Sequence, residues 1–259
     1  MEKNEKDCWN PQQYQKFTKE RSQPFYDLMA LIRRKPKMTA VDLGCGTGEL
    51  TKILHETLDA KETRGIDPSE AMLKESNAFV APGLRFELLT VEDYRPKEKV
   101  DLIFSNAALQ WVPHHRELFE RLSHYLSSEG QFAIQVPANF DYPTHTIAKE
   151  IGEDSPFKDY LDEGRMPSVL KIEDYSQLFY QLKFKKQSVS CVVYPVILNS
   201  TEGLIEWVKG SLLTHYRSHL PKELYELFLE RYRERIFAHF GDQQPFYLPF
   251  KRILIWGEK

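Results

Sequence analysis

Short segments rich in strand-forming residues alternate with amphipathic stretches through the first half of the chain, and this alternation most constrains the fold. Parallel strands need long crossovers, usually helical, and they are apolar throughout because helices cover both faces of the sheet. The pattern therefore predicts an α/β fold with a doubly wound, mostly parallel sheet. The predicted strands are TAVDLG (39–44), ETRGID (62–67), LRFELLT (84–90), VDLIFSN (100–106) and GQFAIQV (130–136).

A polar stretch at 140–170 interrupts the alternation of strands and helices, and the elements predicted after it include three helices. No Gly/Ser linker marks a boundary, and 259 residues with 41% hydrophobic content can bury one sizeable core, so a single domain over 1–259 is expected. The elements predicted after that stretch are a helix at 172–182, an apolar run at 188–198, a helix at 201–216 capped by Thr201, a helix at 221–240 with Pro221 at its start, and a last strand, KRILIWG, at 251–257.

A glycine-rich loop, VDLGCGTGEL (41–50), follows the first predicted strand and precedes a helix. Gly44 and Gly46 fit the dinucleotide fingerprint, but Glu49 stands where that fingerprint needs its third glycine. Asp42 would also repel a pyrophosphate, by about 1 kcal/mol or more at short range. S-adenosyl-L-methionine has no phosphate and carries an ammonium and a sulfonium, which an acid attracts. The loop Gly44–Gly48 with Asp42 therefore predicts this cofactor.

The ends of the next two strands supply further cofactor candidates. Asp67 ends the second strand, where an acid accepts hydrogen bonds from both ribose hydroxyls, and Met72 follows in GIDPSEAM. For adenine, the candidates after the third strand are Thr90, Val91 and Glu92. The sequence leaves open whether Thr90 or the neighbouring acids accept from the adenine amino group.

The segment SNAALQW follows the fourth strand and is expected at the carboxyl edge of the sheet. Asn106 is predicted to face the cofactor, and Gln110 and Trp111 to face the methyl acceptor, with core packing as the alternative for Trp111. The adjacent His114 and His115 are expected to form a solvated helix start.

Near the start of the chain, Tyr14, Phe17 and Arg21 have the spacing of one helical face. We expect residues 1–35 to form a helical lid in which Tyr14 and Arg21 contact the cofactor. The fork of Arg21 suits the methionine carboxylate, and a surface ion pair is the alternative.

Four longer segments carry a resemblance to a known family. They are WNPQQYQKFTKERSQP, VDLIFSNAALQWVPHHRELF, VPANFDYPTHTIAKE and IEWVKGSLLTHYRSHLPKELYELFLERYRE. With them the chain resembles, nearly end to end, the class I S-adenosylmethionine-dependent methyltransferases, and within these the trans-aconitate 2-methyltransferase family. The resemblance implies a Rossmann-like seven-stranded sheet in the order 3-2-1-4-5-7-6, with an antiparallel seventh strand. It also implies a helical cap formed by insertions at 140–170 and 199–245. Thr90 departs from the family, which commonly has Asp there.

The resemblance implies carboxyl O-methylation of a small polycarboxylic acid. Such a substrate needs cations, for which His145 and Arg217 are the first candidates, ahead of His215 and Arg165. Alternatives are esterification of an acyl-carrier-protein-bound acid, methylation of another small metabolite, a catalytically silent cofactor-binding protein, and an NAD-dependent oxidoreductase, which Asp42 and Glu49 disfavour.

Charge and cysteine content limit the other partners. The net charge of -3 is spread over the whole sequence, so neither nucleic acid nor a membrane is expected as a partner. The charged start of the chain lacks a signal-peptide core, which predicts a cytoplasmic protein, and a monomer is expected. Cys8, Cys45 and Cys191 have no metal-ligand spacing, so no metal site or disulfide is predicted.

Overall fold

The computed structural model describes residues 18–161 and 169–259. Its seven strands are β1 (Thr39–Leu43), β2 (Glu62–Asp67), β3 (Leu84–Leu88), β4 (Val100–Asn106), β5 (Leu126–Pro137), β6 (Lys186–Leu198) and β7 (Phe246–Glu258). The helices are α1 (Thr18–Ala30), α2 (Glu49–Leu58), α3 (Glu70–Ser76), α4 (His115–Ser123), α5 (Pro143–Glu153), α6 (Ile172–Gln181), α7 (Thr201–Lys209), α8 (Leu212–His219) and α9 (Lys222–Phe240), with 3-10 turns at Asn77–Phe79 and Leu109–Trp111.

The seven strands form one sheet in the order β3-β2-β1-β4-β5-β7-β6. The neighbours from β3 to β5 are parallel, and β7 runs antiparallel to β5, from Gln131 opposite Glu258 to Pro137 opposite Arg252. The predicted fold class, the strand order and the place of the last strand are confirmed. The carboxyl ends of β1, β2 and β4 meet at one edge, so the glycine loop, Asp67 and Asn106 share that edge.

The helix predicted at 201–216 differs from the structure in two respects, each with a physical reason. The predicted helix at 201–216 is two helices, because α7 ends at Lys209, with Gly210 as its C-cap, and Ser211 has non-helical backbone angles. The helix cap is Ser200 rather than Thr201, since the Ser200 hydroxyl accepts from the Gly203 amide at 3.1 Å. Thr201 instead donates its hydroxyl hydrogen to the Gly241 carbonyl at 2.8 Å.

The chain divides into two compact units. The sheet unit comprises Lys19–Pro137, residues 169–192 and Arg252–Lys259. The described residues of the other, the helical unit, are mainly 138–161 and 193–251, so it contains residues from both predicted insertions. That these insertions act as a cap stays a prediction.

In the sheet unit, α1 packs against one face of the sheet. The rings of Phe25 and Phe104 meet edge to face with centroids 5.5 Å apart, and Leu28 and Ile32 belong to the same buried cluster. Since these side chains are part of the core, residues from Phe25 onward are not a lid. The earlier part of the predicted lid stays a prediction.

In the helical unit, α9 packs through an aromatic row. Phe228 stacks on Tyr216 and Tyr232, with ring centroids 4.4 Å and 6.2 Å away. The Tyr232 hydroxyl donates to the Thr144 carbonyl at 3.1 Å, which ties α9 to α5. Within the described residues, no helix is both long enough and apolar enough to cross a membrane.

Candidate functional site

The loop after β1 adopts a conformation that only glycine accepts easily. Gly44, Gly46 and Gly48 have φ angles of 78°, 54° and 81°. The amide of Gly44 donates to the Ile66 carbonyl at 2.8 Å, which fixes the loop to the end of β2. A Cβ on Gly44 would lie 2.2 Å from the Cβ of Ala108, whereas a Cβ on Gly46 would meet no atom of the described residues within 4 Å. The loop therefore packs tightly at Gly44 and faces open space at Gly46.

Asp67 ends β2 as predicted, and its carboxylate is held by two backbone amides. Oδ2 accepts from the Gly46 amide and Oδ1 from the Ser69 amide, both at 2.9 Å. The side chain is 9% exposed. A carboxylate has about four lone-pair sites and no hydrogen-bond donor when ionised, which is the chemistry that a diol needs from its partner.

Asp42 lies in β1, and its side chain is 4% exposed. Its Oδ2 accepts a hydrogen bond from the Thr51 hydroxyl at 2.6 Å. Burial raises the pKa of Asp42 to about 7; the Thr51 hydrogen bond opposes this shift, and the negative charge of Asp67 adds to it. A cation bound beside this pair of carboxylates would favour the ionised form. The arrangement is therefore suited to a positively charged ligand and disfavours a phosphate.

The predicted adenine candidates differ in how their polar groups are used. β3 ends at Leu88, and the Thr90 hydroxyl donates to Asp93 Oδ2 at 2.8 Å while accepting from the Asp93 amide. The single hydroxyl hydrogen of Thr90 is therefore already donated to Asp93. Val91 is buried, Glu92 is exposed, and the buried Met72 donates its amide hydrogen to the Ser69 hydroxyl, which caps α3. The contacts of Thr90, Val91 and Glu92 with adenine, and of Met72 with the cofactor, stay predictions.

The chain turns sharply after β4. Ala107 has a φ of 56°, which is uncommon for a residue with a Cβ, and its amide donates to the Gln135 carbonyl at 3.0 Å. Gln110 Nε2 donates to the Ala107 carbonyl at 2.7 Å, so Gln110 stabilises this turn. Strained backbone of this kind is typical of functional sites. Trp111 is half-buried in the same 3-10 turn, and the contacts of Gln110 and Trp111 with an acceptor stay predictions.

Two polar atoms in this turn are buried without a hydrogen-bond partner among the described residues, Oδ1 of Asn106 and Oε1 of Gln110. Buried polar groups are nearly always paired, so an unpaired one indicates a ligand or a water. Both atoms lie at the carboxyl end of β4, where the predicted ligands would bind.

The two adjacent histidines have different environments. His114 is exposed at the start of α4, as expected, but His115 is 1% exposed, so the prediction of a solvated side chain was wrong for it. His115 Nδ1 lies 2.5 Å from the Tyr175 hydroxyl, and Nε2 lies 2.8 Å from the Leu109 carbonyl. Burial lowers the pKa of His115, so the ring is neutral and anchors the 3-10 turn.

The cation candidates of the helical unit are not equivalent. His145 lies in α5 with its ring 5.5 Å from that of Phe140, and burial lowers its pKa to about 4, against the opposing effect of Asp141. Its imidazole is therefore neutral at pH 7 in the unliganded protein, and its contact with the substrate stays a prediction. Arg217 is exposed in the last turn of α8 and makes no ion pair with any residue the structure describes. His215 is half-buried, with its ring 4.4 Å from that of His219.

Some predicted site residues cannot be placed. Tyr14, Phe17 and Arg165 lie outside the described residues, and Arg21 is described by its backbone position in α1 only. Two residues were missed by the sequence analysis. Thr51 could not be recognised without knowing its contact with Asp42. Gln135 could, because it is a glutamine inside the apolar run FAIQV.

The residues at this edge fit the predicted cofactor. Gly46 faces open space, Asp67 can accept from a ribose, and Asp42 suits a cationic group. The unpaired Asn106 Oδ1 can accept a hydrogen bond from an ammonium.

Comparisons with known proteins agree with this geometry. A family model described as a methyltransferase domain matches residues 34–189. The chain is 39% identical to a trans-aconitate 2-methyltransferase of Deinococcus radiodurans, over 95% of this chain and 96% of the relative. It is 33% identical to a trans-aconitate 2-methyltransferase of an Acidovorax species, over 88% of each. Among solved structures, the YcgJ protein from Bacillus subtilis aligns with a TM-score of 0.61 at 15% identity, covering 91% of this chain and 97% of that one, which shows the shared fold.

Proposed function

The chain belongs to the class I S-adenosylmethionine-dependent methyltransferases, and from that premise we propose that it methylates a carboxylate of a small polycarboxylic acid such as trans-aconitate. The proposed substrate class is supported by the match, over most of the chain, to two relatives that are named trans-aconitate 2-methyltransferase. The cofactor is S-adenosyl-L-methionine, which when bound supplies an electrophilic methyl group on a sulfonium.

The residues of the sheet unit have separate roles in this proposal. The backbone at Gly46 allows close approach of the cofactor, Asp67 accepts from the ribose hydroxyls, and the Asp42 carboxylate attracts the cationic end. A carboxylate oxygen is already nucleophilic at pH 7, so no general base is needed and the residues act by positioning. Well-oriented reactants can gain roughly 7–11 kcal/mol in this way.

An acceptor panel tests the proposal. Purified enzyme with S-adenosylmethionine is offered trans-aconitate, other di- and tricarboxylic acids, monocarboxylic acids and a carrier-protein-bound acid, and release of S-adenosylhomocysteine is measured. We expect kcat/KM to be highest for the polycarboxylic acids. Turnover of only the carrier-bound acid or an uncharged metabolite would replace the proposed substrate class, and cofactor binding without any turnover would favour a catalytically silent protein. That the enzyme acts as a cytoplasmic monomer stays a prediction.

Asp42 gives a prediction about pH. Because its pKa is about 7 without ligand, only about one molecule in eleven is ionised at pH 6 but about three in four at pH 7.5. We therefore expect cofactor affinity, measured by calorimetry, to rise about eightfold between these pH values. The isosteric variant Asp42→Asn should bind more weakly and show none of this rise.

The same group determines a stability trend. Asp42 has a higher pKa in the folded protein than in the unfolded chain, so the folded state binds more protons between the two values. The contribution of Asp42 to the free energy of unfolding is therefore present at low pH and is lost as pH rises through about 7. Unliganded wild type should therefore lose thermal stability relative to Asp42→Asn from pH 5 to pH 8, and parallel curves would contradict the raised pKa.

Arg217 gives a prediction about the acceptor. We propose that its guanidinium, which is free of ion pairs with described residues, attracts a non-reacting carboxylate of the substrate. Arg217→Met keeps most of the length and removes the charge, so KM for a dicarboxylate should rise about tenfold while the cofactor Kd is unchanged. Arg233→Met is the matched control, because Arg233 already pairs with Glu202 at 2.7 Å. Equal effects of the two variants would mean that Arg217 acts only through general surface charge.

A further inference from the structure

Gln135 is a buried glutamine whose side-chain amide is not fully satisfied. It lies in β5 with 1% of its surface exposed, and its Nε2 has no hydrogen-bond partner among the described residues. A buried amide donor without a partner destabilises a fold. A glutamine in this condition is therefore expected to have a partner that binds during function.

A second glutamine of β5, Gln131, has a side-chain amide whose hydrogen bonds are all made within the protein, and it serves as the comparison. Gln131 is fully buried; its Oε1 accepts from the Arg33 amide at 2.8 Å and from Trp256 Nε1 at 3.0 Å, and its Nε2 donates to the Arg33 carbonyl at 2.8 Å. Gln131 and Gln135 lie on the same face of β5 because side chains alternate along a strand. Burial alone therefore does not explain the unpaired amide of Gln135.

The sheet register places Gln135 beside the two other unpaired atoms of the site. Gln135 is the direct partner of Asn106 on β4, and the two side chains share a face because paired residues of neighbouring strands point to the same side of the sheet. Gln135 also holds the Ala107 amide through its carbonyl, and Ala107 in turn accepts from Gln110. The amides of Asn106, Gln110 and Gln135 thus line the carboxyl ends of β4 and β5, each with one unpaired polar atom.

Within this group, Gln135 lies toward the acceptor side of the site rather than at the ribose. The order β2-β1-β4-β5 places β5 three strands from β2, which carries Asp67, or about 14 Å at the usual strand spacing. A cofactor held by the loop after β1 and by Asp67 leaves the end of β5 for the second substrate. We propose that Gln135 is an acceptor-positioning residue whose Nε2 donates a hydrogen bond to an oxygen of the reacting carboxylate; this rests on the proposed function.

A neutral amide suits that task better than a cation does. A guanidinium would form a strong charge-assisted pair with the reacting carboxylate and reduce the availability of its lone pairs. A single amide N–H orients one oxygen and leaves the other free to attack the methyl carbon. In the transfer, a carboxylate lone pair forms the new O–C bond, the S–C bond breaks, and its electrons return to sulfur, so no proton needs to move.

The test compares Gln135→Met with Gln131→Met. For Gln135→Met we expect a melting temperature equal to or above that of wild type, an unchanged cofactor Kd, and kcat/KM for trans-aconitate lowered about 10- to 100-fold. For Gln131→Met we expect a lower melting temperature with unchanged kcat/KM, assayed where circular dichroism shows it folded. If Gln131→Met does not fold, the comparison of Gln135→Met with wild type still tests whether Gln135 acts on the acceptor.

Three results separate the possible failures. A Gln135→Met enzyme with unchanged kcat/KM, or one destabilised as strongly as Gln131→Met, would overturn the acceptor role. Loss of cofactor affinity in Gln135→Met would place the amide at the cofactor and also overturn it. Wild type that binds cofactor but methylates no polycarboxylic acid would instead refute the proposed function.

Discussion

Replacing Gly44 with alanine is expected to cost both stability and cofactor binding. The residue has a φ of 78°, and an added Cβ would lie 2.2 Å from the Cβ of Ala108. The left-handed conformation costs about 1–2 kcal/mol for a residue with a Cβ, and overpacking adds about 1–3 kcal/mol. The loop must move away from the turn after β4. We expect the melting temperature to fall by about 5–10 °C and cofactor affinity to fall at least tenfold, as measured by thermal shift and calorimetry.

Gly46→Ala is the matched control for this prediction. Its φ of 54° carries a similar backbone cost, but among the residues that the structure describes the added Cβ meets no atom within 4 Å. The methyl group would instead occupy space that the cofactor needs. Gly46→Ala should therefore lose affinity with a smaller loss of stability than Gly44→Ala. If Gly46→Ala binds the cofactor as tightly as wild type does, the cofactor does not approach the loop at Gly46.

Replacing Asp67 with alanine is expected to weaken cofactor binding by about 1.5–3 kcal/mol, which is about 10- to 150-fold, because hydrogen bonds to a carboxylate are charge-assisted. The carboxylate also holds the Gly46 and Ser69 amides, so some stability is lost as well. Calorimetric titration with S-adenosylmethionine measures the loss of affinity.

Asp101 supplies the control for Asp67. Its carboxylate accepts from the Thr39 amide at 2.9 Å, the Thr39 hydroxyl at 3.1 Å and the Ser127 hydroxyl at 2.9 Å, and it lies at the start of β4, away from the site. Asp101→Ala should lower stability without changing cofactor affinity. Equal affinity losses in the two variants would show that the Asp67 effect comes from general destabilisation.

The parts of the fold that follow from periodicity could be predicted from sequence. The bounds of β2 and β4 match the predicted segments, and each of these strands ends in a polar residue, Asp67 or Asn106. The resemblance supplied the strand order. The break between α7 and α8 was not predicted, because a single glycine such as Gly210 is tolerated inside a helix and does not by itself mark a helix end.

Site residues could be predicted where they adjoin a strand end, and not where their role depends on a distant partner. Asp42, Asp67 and the loop glycines are recognised from spacing alone. The burial of His115 depends on Tyr175, sixty residues later in the chain, and the neutral state of His145 depends on how its ring packs. Neither is visible in a local sequence window.

Identification of the reaction product is the most direct test of whether this enzyme methylates a carboxylate of trans-aconitate. Wild-type enzyme is incubated with trans-aconitate and S-adenosylmethionine carrying an isotopically labelled methyl group, and the organic acids are analysed by mass spectrometry. We expect a monomethyl ester of trans-aconitate that contains the label, formed in equal amount with S-adenosylhomocysteine. Recovery of unmethylated trans-aconitate from enzyme that is shown by calorimetry to bind the cofactor would contradict it.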